Sequence, residues 1–151
     1  MTGQPGARRR ILFIEDSTAD LLLFRFILQS NGVENVDLQV VTRGDEAIQV
    51  VDTLSTSSPN YRPDLIVLDL NLPCESGLDV LKRLRQYTDL DNIPVVVMTG
   101  SANLADREAA AAYGISAYLV KSLGLNQAIA LGKTIKRVLT GLDNDEIANK
   151  R

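Results

Sequence analysis

Short, mostly apolar runs punctuate the chain, and most of them end at a polar or charged residue. Five such runs span residues 10–14, 36–41, 65–68, 93–98 and 115–120. A brief apolar run is typical of a strand buried on both faces, as in the middle of a parallel sheet. The run at 36–41 alternates polar and apolar residues, which predicts a strand nearer the edge of that sheet.

Segments with helical spacing of apolar residues lie between these runs. They span residues 18–30, 42–54, 78–87, 103–113 and 123–139. Strands that alternate with helices through short connections predict a parallel sheet with right-handed crossovers and helices on both faces. The predicted fold class is therefore α/β, a five-stranded doubly wound parallel sheet, and the strand order 2-1-3-4-5 suits five strands best.

For the first and last helices, the apolar residues predict which face of the helix packs against the sheet. In the first helix we expect the core to receive Leu22, Leu23, Phe26 and Ile27. In the last helix and just after it, helical spacing is followed by Leu131, Ile135, Val138, Leu139 and Leu142, and most of them are expected to pack onto the sheet. Leu125 and Ile129 form a second stripe on that helix, which we interpret as a dimer surface.

The ends of the chain differ in composition from its middle. Residues 1–9 mix Gly, Pro and Arg without a period and are expected to form a flexible arm. Residues 10–142 form one predicted domain, and residues 143–151 form a polar tail. The loop at 55–63 contains two prolines, but neither half of the chain could bury its strands alone.

Composition narrows the classes of function. The 151 residues are 45% hydrophobic and 23% charged, with a net charge of -3, so nucleic-acid binding is not expected. No apolar stretch is long enough to span a membrane, and no signal-peptide pattern opens the chain. One cysteine, Cys74, excludes an intrachain disulfide and favours a cytoplasmic protein. Because there is no histidine, the sequence excludes histidine-based catalysis and histidine metal ligands.

Chemically active residues follow four of the five predicted strands. Glu15 and Asp16 follow the first strand, Asp69 the third, Thr99 the fourth and Lys121 the fifth. Ligands of doubly wound sheets bind outside the carboxyl ends of the strands, where the strand order reverses. In the order 2-1-3-4-5 the first strand neighbours the third, so the three acids are expected to share one crevice.

Three carboxylates in one crevice repel one another and call for a compensating cation. An all-oxygen acidic site selects a hard ion, and Mg²⁺ binds through one or two carboxylates while keeping several waters. We therefore assign Glu15 and Asp16 to Mg²⁺, with the backbone carbonyl of Asn71 completing the coordination. A metal, the ammonium of Lys121 and a hydroxyl around Asp69 suit phosphoryl transfer, with Asp69 as the nucleophile.

At these residues the chain resembles a bacterial response-regulator receiver domain, the flavodoxin-like phospho-accepting module of two-component signalling. The resemblance covers about residues 10–139. It rests on Glu15-Asp16, Asp69 with Pro73 and Gly77, Thr99-Gly100, and Tyr118 three residues before Lys121. Each motif is weak alone, but five in order on the expected strand ends are specific.

The resemblance implies roles for these positions. Asp69 accepts a phosphoryl group from a sensor histidine kinase, and Glu15 and Asp16 bind Mg²⁺ directly or through water. Asp69 also belongs to the metal site, and Lys121 contacts the phosphoryl oxygens. The protein would then be a signalling switch rather than a turnover enzyme.

Further implied roles concern how the switch responds. Thr99 moves to hydrogen-bond the phosphoryl group, and Tyr118 turns inward behind it. Asn71 and Ser101 occupy positions that tune the phosphoryl lifetime. The surface around the last two helices then reports the change to a downstream protein target or a phosphotransfer protein.

One departure from the family pattern lies after the lysine. Most receivers have a proline in a cis bond there, whereas this chain has Ser122. The Lys-Ser pair, the long loop before Pro63 and the segment 69–73 resemble the stand-alone receivers that partner bacterial phytochrome kinases. Those relatives are commonly homodimers through helix 4, strand 5 and helix 5.

Three other functions compete with this interpretation. The first is a Mg²⁺-dependent phosphohydrolase that works through an aspartyl phosphate. Such enzymes usually carry an acid two residues after the nucleophile, and here that position is Asn71. The second is a degenerate receiver that only binds partners, which the intact acids and Lys121 disfavour. The third is a nucleotide-binding protein, but a Walker-type loop and a G-x-G-x-x-G turn are both missing.

Overall fold

A five-stranded parallel sheet forms the centre of the protein. The computed structural model describes residues 8–121 and 125–141. The strands are β1 (Arg9–Ile14), β2 (Val36–Val41), β3 (Leu65–Leu68), β4 (Val95–Thr99) and β5 (Ala117–Val120). Their order in the sheet is β2-β1-β3-β4-β5, and every neighbouring pair is parallel. The predicted fold class and strand order are therefore confirmed.

Five helices connect and cover the strands. They are α1 (Thr18–Ser30), α2 (Gly44–Thr56), α3 (Gly77–Leu84), α4 (Leu104–Ala111) and α5 (Leu125–Thr140). Two short 3-10 helices at Pro59–Tyr61 and Thr88–Leu90 lie before β3 and β4. Each parallel connection contains one of the long helices, as a crossover between parallel strands requires.

Alternate residues of the central strands face two separate hydrophobic cores. On one face, Leu12, Ile66 and Val95 pack with residues of α2 and α3. On the other face, Val67 and Val96 pack with residues of α1 and α5. Burial on both sides explains why β3 and β4 read as unbroken apolar runs rather than alternating ones.

The orientation predicted for α1 is wrong. Leu22, Leu23 and Phe26 are 61%, 43% and 64% exposed, whereas Phe24 is fully buried. The buried face consists of Phe24, Ile27 and Leu28, so only Ile27 was assigned correctly. The ring of Phe24 stacks on that of Phe13 in β1, with 4.8 Å between centroids, and this contact sets the rotation of the helix.

Side-chain caps begin three helices at the edge of the sheet where the strands end, which we call the carboxyl edge. Ser17 accepts a hydrogen bond from the Asp20 N–H at the start of α1. Ser76 caps α3 in the same way, and Asn103 caps α4. These caps satisfy backbone donors that the first turn of a helix leaves unpaired, and they fix how each helix leaves its strand.

Some predictions concern residues outside the described ranges. They are most of the arm at residues 1–9, Ser122, the side chain of Leu125, Leu142, and the tail at residues 143–151. Within the described ranges, no helix has both the length and the apolar character needed to cross a membrane.

Candidate functional site

The acids of two neighbouring strands meet at the carboxyl edge. Glu15 follows β1 directly, and its N–H donates to the carbonyl of Val41 over 2.9 Å. Asp69 follows β3, and its N–H donates to the carbonyl of Ile14 over 3.0 Å. Sheet hydrogen bonding therefore continues one residue past both strands and holds both acids in place. Glu15 is 3% exposed and Asp69 is 5% exposed, which is unusual for carboxylates.

Lys121 reaches these acids from the end of β5. Its ammonium donates to Asp69 Oδ2 over 2.9 Å and to Glu15 Oε2. Its side chain is 22% exposed, so the ion pairs are partly shielded from water. A buried charge needs a partner of opposite sign, and Lys121 supplies that partner to two carboxylates at once.

A third carboxylate also contacts this lysine, and the sequence did not predict it. Asp20 Oδ2 lies 2.8 Å from Lys121 Nζ. Asp20 lies in the first turn of α1, where an acid also suits the helix dipole. Side chains on a helix tilt towards its N-terminus, so an acid in a first turn beside the carboxyl edge points back towards the site. This tilt is the one feature from which the sequence could have predicted the contact between Asp20 and Lys121.

Glu15 and Lys121 both have pKa values that are raised above those of the ordinary side chains. Burial raises the pKa of Glu15 to about 7; the hydrogen bond from Lys121 opposes this shift, and the negative charge of Asp69 adds to it. Burial acts to lower the pKa of Lys121, but its bonds to Asp20, Glu15 and Asp69 outweigh burial and raise that pKa above its usual value. At neutral pH the lysine is therefore charged, while Glu15 exists in both protonation states.

Glu15, Asp16 and Asp69 form a set that can hold a metal ion. Each offers one carboxylate oxygen, and the three oxygens lie within 4.8 Å of one another. Two oxygens bound to one Mg²⁺ at about 2.1 Å cannot be much more than about 4 Å apart, so a small side-chain rotation or a bridging water is needed. Asp16 is exposed and can make that rotation. The oxygen-only donor set suits Mg²⁺ or Mn²⁺.

The loop after Asp69 is shaped by close backbone contacts. The N–H of Asn71 donates to Asp69 Oδ1 over 3.1 Å, while the Asn71 side chain is exposed. The N–H of Gly77 donates to the carbonyl of Leu70 over 2.9 Å. A Cβ on Gly77 would lie 2.2 Å from the carbonyl oxygen of Asp69, so no larger residue fits without a backbone shift. Gly77 thus allows the start of α3 to pack directly against the backbone of Asp69 and Leu70.

Thr99 and Tyr118 lie on the two neighbouring strands β4 and β5. Thr99 is the last residue of β4 and is fully buried, and its Oγ1 accepts from the Ser101 N–H over 3.4 Å. Tyr118 is half-buried, and its hydroxyl donates to the Ser101 carbonyl over 2.8 Å. The guanidinium of Arg107 in α4 lies 5.5 Å from the centre of the Tyr118 ring.

Ser101 has a further bond inside its loop. Its hydroxyl donates to Asp106 Oδ2 over 2.7 Å and accepts from the Asn103 N–H. The loop between β4 and α4 is therefore held both by its own side chains and by Tyr118.

The structure brings together Glu15, Asp16, Asp69 and Lys121, as the strand order implied. Thr99 follows at the next strand end, Ser101 lies in the loop after it, and the hydroxyl of Tyr118 reaches that loop from within β5. The exposed Cys74 lies in the loop after β3 with a φ of 75°, and it contributes no carboxylate or ammonium to the site.

Comparisons with known proteins agree with this geometry. Residues 11–131 match the family described as response regulator receiver domain. The response regulator Rcp1 of Synechocystis sp. is 35% identical over 125 residues, which cover 83% of this chain and 84% of that protein.

Two solved structures have the same fold. One is the phosphorylated cyanobacterial phytochrome response regulator RcpA, with a TM-score of 0.76, 32% identity and coverage of 89% of this chain and 95% of that chain. The other is the Mn(2+)-bound form of Rcp1, with a TM-score of 0.72, 34% identity and coverage of 85% of this chain and 92% of that chain.

Proposed function

Because the chain belongs to the response regulator receiver domain family, we propose that it is a phosphorylation-controlled switch in a two-component phosphorelay. Asp69 is the residue that accepts the phosphoryl group from a sensor histidine kinase. The observation that carries this assignment is the meeting of Asp69, Glu15 and Lys121 at one edge, with Lys121 Nζ 2.9 Å from Asp69 Oδ2.

Asp69 attacks the phosphorus atom of a phosphohistidine through a carboxylate oxygen. A phosphorus–oxygen bond forms, the phosphorus–nitrogen bond breaks, and the departing imidazole takes up a proton. The hydrogen bond from the Asn71 N–H to Asp69 Oδ1 holds the carboxylate while its other oxygen reacts. Transfer of this kind depends mainly on positioning and on neutralising charge.

The charge is neutralised from two sides. Lys121 supplies a fixed positive charge that contacts the phosphoryl oxygens. Glu15, Asp16, Asp69 and the backbone carbonyl of Asn71 would hold Mg²⁺. When bound, that ion would neutralise the charge that develops on the phosphoryl oxygens. Rcp1 has been solved in an Mn(2+)-bound form, which supports a divalent-ion site in this chain.

The response to phosphorylation starts at Thr99. A phosphoryl group adds about 1.5 to 2 negative charges and new acceptor oxygens. The Thr99 hydroxyl turns to donate to one of them, which disturbs its contact with the Ser101 N–H over 3.4 Å. Because Tyr118 donates to the carbonyl of Ser101, the movement reaches the tyrosine, which packs farther inward. Asn71 and Ser101 are then placed to tune how fast water removes the group.

The direct test is incubation with Mg²⁺ and a small phosphodonor, followed by intact mass measurement. We expect one added phosphoryl group on the parent chain and none on Asp69→Asn. Asp64→Asn is the matched control, because Asp64 lies at the opposite end of β3, where it accepts from the Arg10 N–H. This variant should be phosphorylated like the parent. A stable adduct on another residue, or on Asp69→Asn, would refute the assignment.

A phosphohydrolase that passes through the same aspartyl phosphate is the competing function. Its usual acid two residues after the nucleophile is replaced by Asn71, whose amide is not acidic enough to protonate a leaving group. Steady-state turnover of simple phosphate esters separates the two functions. We expect the protein to retain the phosphoryl group and to show no sustained turnover.

The phosphodonor in the cell is proposed to be a cytoplasmic kinase of the bacterial phytochrome type. This proposal rests on similarity to the phytochrome response regulator RcpA over 89% of this chain. Phosphotransfer from a phosphorylated phytochrome kinase should be faster than from an unrelated histidine kinase of equal activity. Equal rates would leave the receiver assignment intact and remove the phytochrome assignment.

We also propose a homodimer through α4, β5 and α5. β5 is an edge strand whose four residues are all half-buried, and Leu104 in α4 and Ile129 in α5 are 66% and 46% exposed. Sedimentation of the parent should report a dimer that Leu104→Asp weakens. Leu22→Asp is the matched control, since Leu22 is 61% exposed on α1. Equal effects of both variants would contradict this interface.

A further inference from the structure

Asp20 has no role in the function proposed above, yet it contacts the central cation of the site. Its Oδ2 lies 2.8 Å from Lys121 Nζ, as close as Asp69 Oδ2 at 2.9 Å. An ammonium group has three hydrogens to donate. Glu15, Asp20 and Asp69 therefore use the full donor capacity of Lys121.

The three acids differ in what else they can bind. Glu15 and Asp69 belong to the set whose oxygens converge within 4.8 Å, and Asp20 does not. The Asp20 side chain is also the most accessible of the three, with 27% exposure against 2% for Glu15 and 6% for Asp69. A divalent ion would therefore bind two of the carboxylates that contact Lys121, those of Glu15 and Asp69, and it would not bind the third, that of Asp20.

Without a metal, Lys121 is the counter-ion of Glu15 and Asp69. A divalent ion drawn to the same two carboxylates competes with the ammonium for them, and the two cations also repel each other. The ammonium can give way at low cost only if another carboxylate already holds it. From the first turn of α1, Asp20 offers that position without any change of backbone.

We propose that Asp20 is a positioning residue that retains Lys121 when a divalent ion takes over Glu15 and Asp69. It acts through Lys121 and does not bind the ion. This inference rests on the proposed function, because it presupposes the divalent-ion site. It adds a residue that lets the metal and the lysine occupy one crevice together.

The test is the dissociation constant of Mg²⁺, measured by titration calorimetry in four proteins. They are the parent, Asp20→Asn, Lys121→Met and the double variant. In the parent background, Asp20→Asn should weaken binding about tenfold, because the ammonium then stays on Glu15 and Asp69. In the Lys121→Met background the same change should weaken binding less than about twofold, leaving only a through-space charge effect.

Two more variants separate positioning from net charge. Glu46→Gln removes one negative charge from the first turn of α2, where Glu46 approaches Arg43, and it should leave Mg²⁺ binding unchanged. Asp20→Glu keeps the charge and should restore most of the parent affinity. Circular dichroism of each variant verifies that the fold is retained before titration.

Equal weakening by Asp20→Asn in both backgrounds would overturn the inference, since Asp20 would then act only as a nearby charge. Unchanged affinity in the parent background would overturn it as well. Failure of the parent chain to bind Mg²⁺ would instead overturn the proposed metal site together with this inference. The two kinds of failure are therefore distinguishable.

Discussion

Glu15 should make the stability of the metal-free protein fall as the pH rises. Its pKa is about 7 in the folded protein and 4.5 as an ordinary glutamate. Between these values the folded state keeps a proton that the unfolded state has released. A state that holds the extra proton loses stability as the pH rises, so this contribution is present near pH 4.5 and is lost through pH 7.

The magnitude follows from the size of the shift. Each pKa unit corresponds to about 1.4 kcal/mol, so the shift of Glu15 from 4.5 to about 7 corresponds to at most about 3.5 kcal/mol. No large solvent discount applies, because the residue is only 3% exposed. Glu15→Gln places a neutral side chain of the same shape in the same position. It should match the parent within about 1 kcal/mol at low pH and exceed it by about 2 to 3 kcal/mol at high pH.

Urea unfolding followed by circular dichroism between pH 5 and 8, with a chelator present, measures this difference. Glu34→Gln is the matched control, and its stability should stay within about 0.5 kcal/mol of the parent's, because Glu34 is exposed in the loop before β2. A parent that is more stable than Glu15→Gln at pH 8 would refute the reasoning. It would mean that the ion pair with Lys121 outweighs the cost of burying the Glu15 charge.

Three further predictions concern packing and metal binding. Phe24→Ala should lower the free energy of unfolding by about 3 to 5 kcal/mol, because the ring is buried against Phe13. Phe26→Ala, on the exposed face of α1, should change that free energy by less than about 0.5 kcal/mol. Equal effects of the two variants would mean that α1 does not bury the face that carries Phe24. Gly77→Ala should lower the free energy of unfolding by about 1 to 3 kcal/mol, because the added Cβ would lie 2.2 Å from the carbonyl oxygen of Asp69. Gly100→Ala is the control: a Cβ there would have nothing within 4 Å, so the free energy should change by less than about 0.5 kcal/mol in the same urea titration. Mg²⁺ at a hundred times its dissociation constant should stabilise the parent by about 2.7 kcal/mol, and a denaturation midpoint independent of Mg²⁺ would contradict a site specific to the folded state.

Much of the fold was predictable because a strand that is buried on both faces has an unbroken run of apolar residues. Leu65–Leu68 and Val95–Thr99 are strands buried at every position, so their presence is visible as apolar runs, although β4 starts two residues later and ends one residue later than the predicted run at 93–98. Parallel strands of one sheet end at one edge. Once the order was inferred, the meeting of Asp69 with Glu15 and Lys121 followed from chain position alone.

The rotation of α1 was not predictable in this way. Seven of the eight residues from Leu21 to Leu28 are apolar, with Arg25 as the exception, so several faces of the helix would serve as the buried one. The choice depends on contacts from distant parts of the chain, such as the ring of Phe13 against Phe24. Asp20 was missed for the same reason, because its reach to Lys121 depends on where α1 lies on the sheet.

Lys121 connects the charge at the site to the part of the protein that responds. Its side chain contacts Asp69, and its backbone N–H donates to the Thr99 carbonyl over 2.7 Å. Three residues earlier on β5, Tyr118 donates to the Ser101 carbonyl just beyond Thr99. β5 and the residue after it are thus bonded to the carbonyl of Thr99 and to the carbonyl of Ser101, two residues further on. A charge added to Asp69 pulls on Lys121 and Thr99 together, and we expect these shared bonds to move the loop before α4 as one unit with β5.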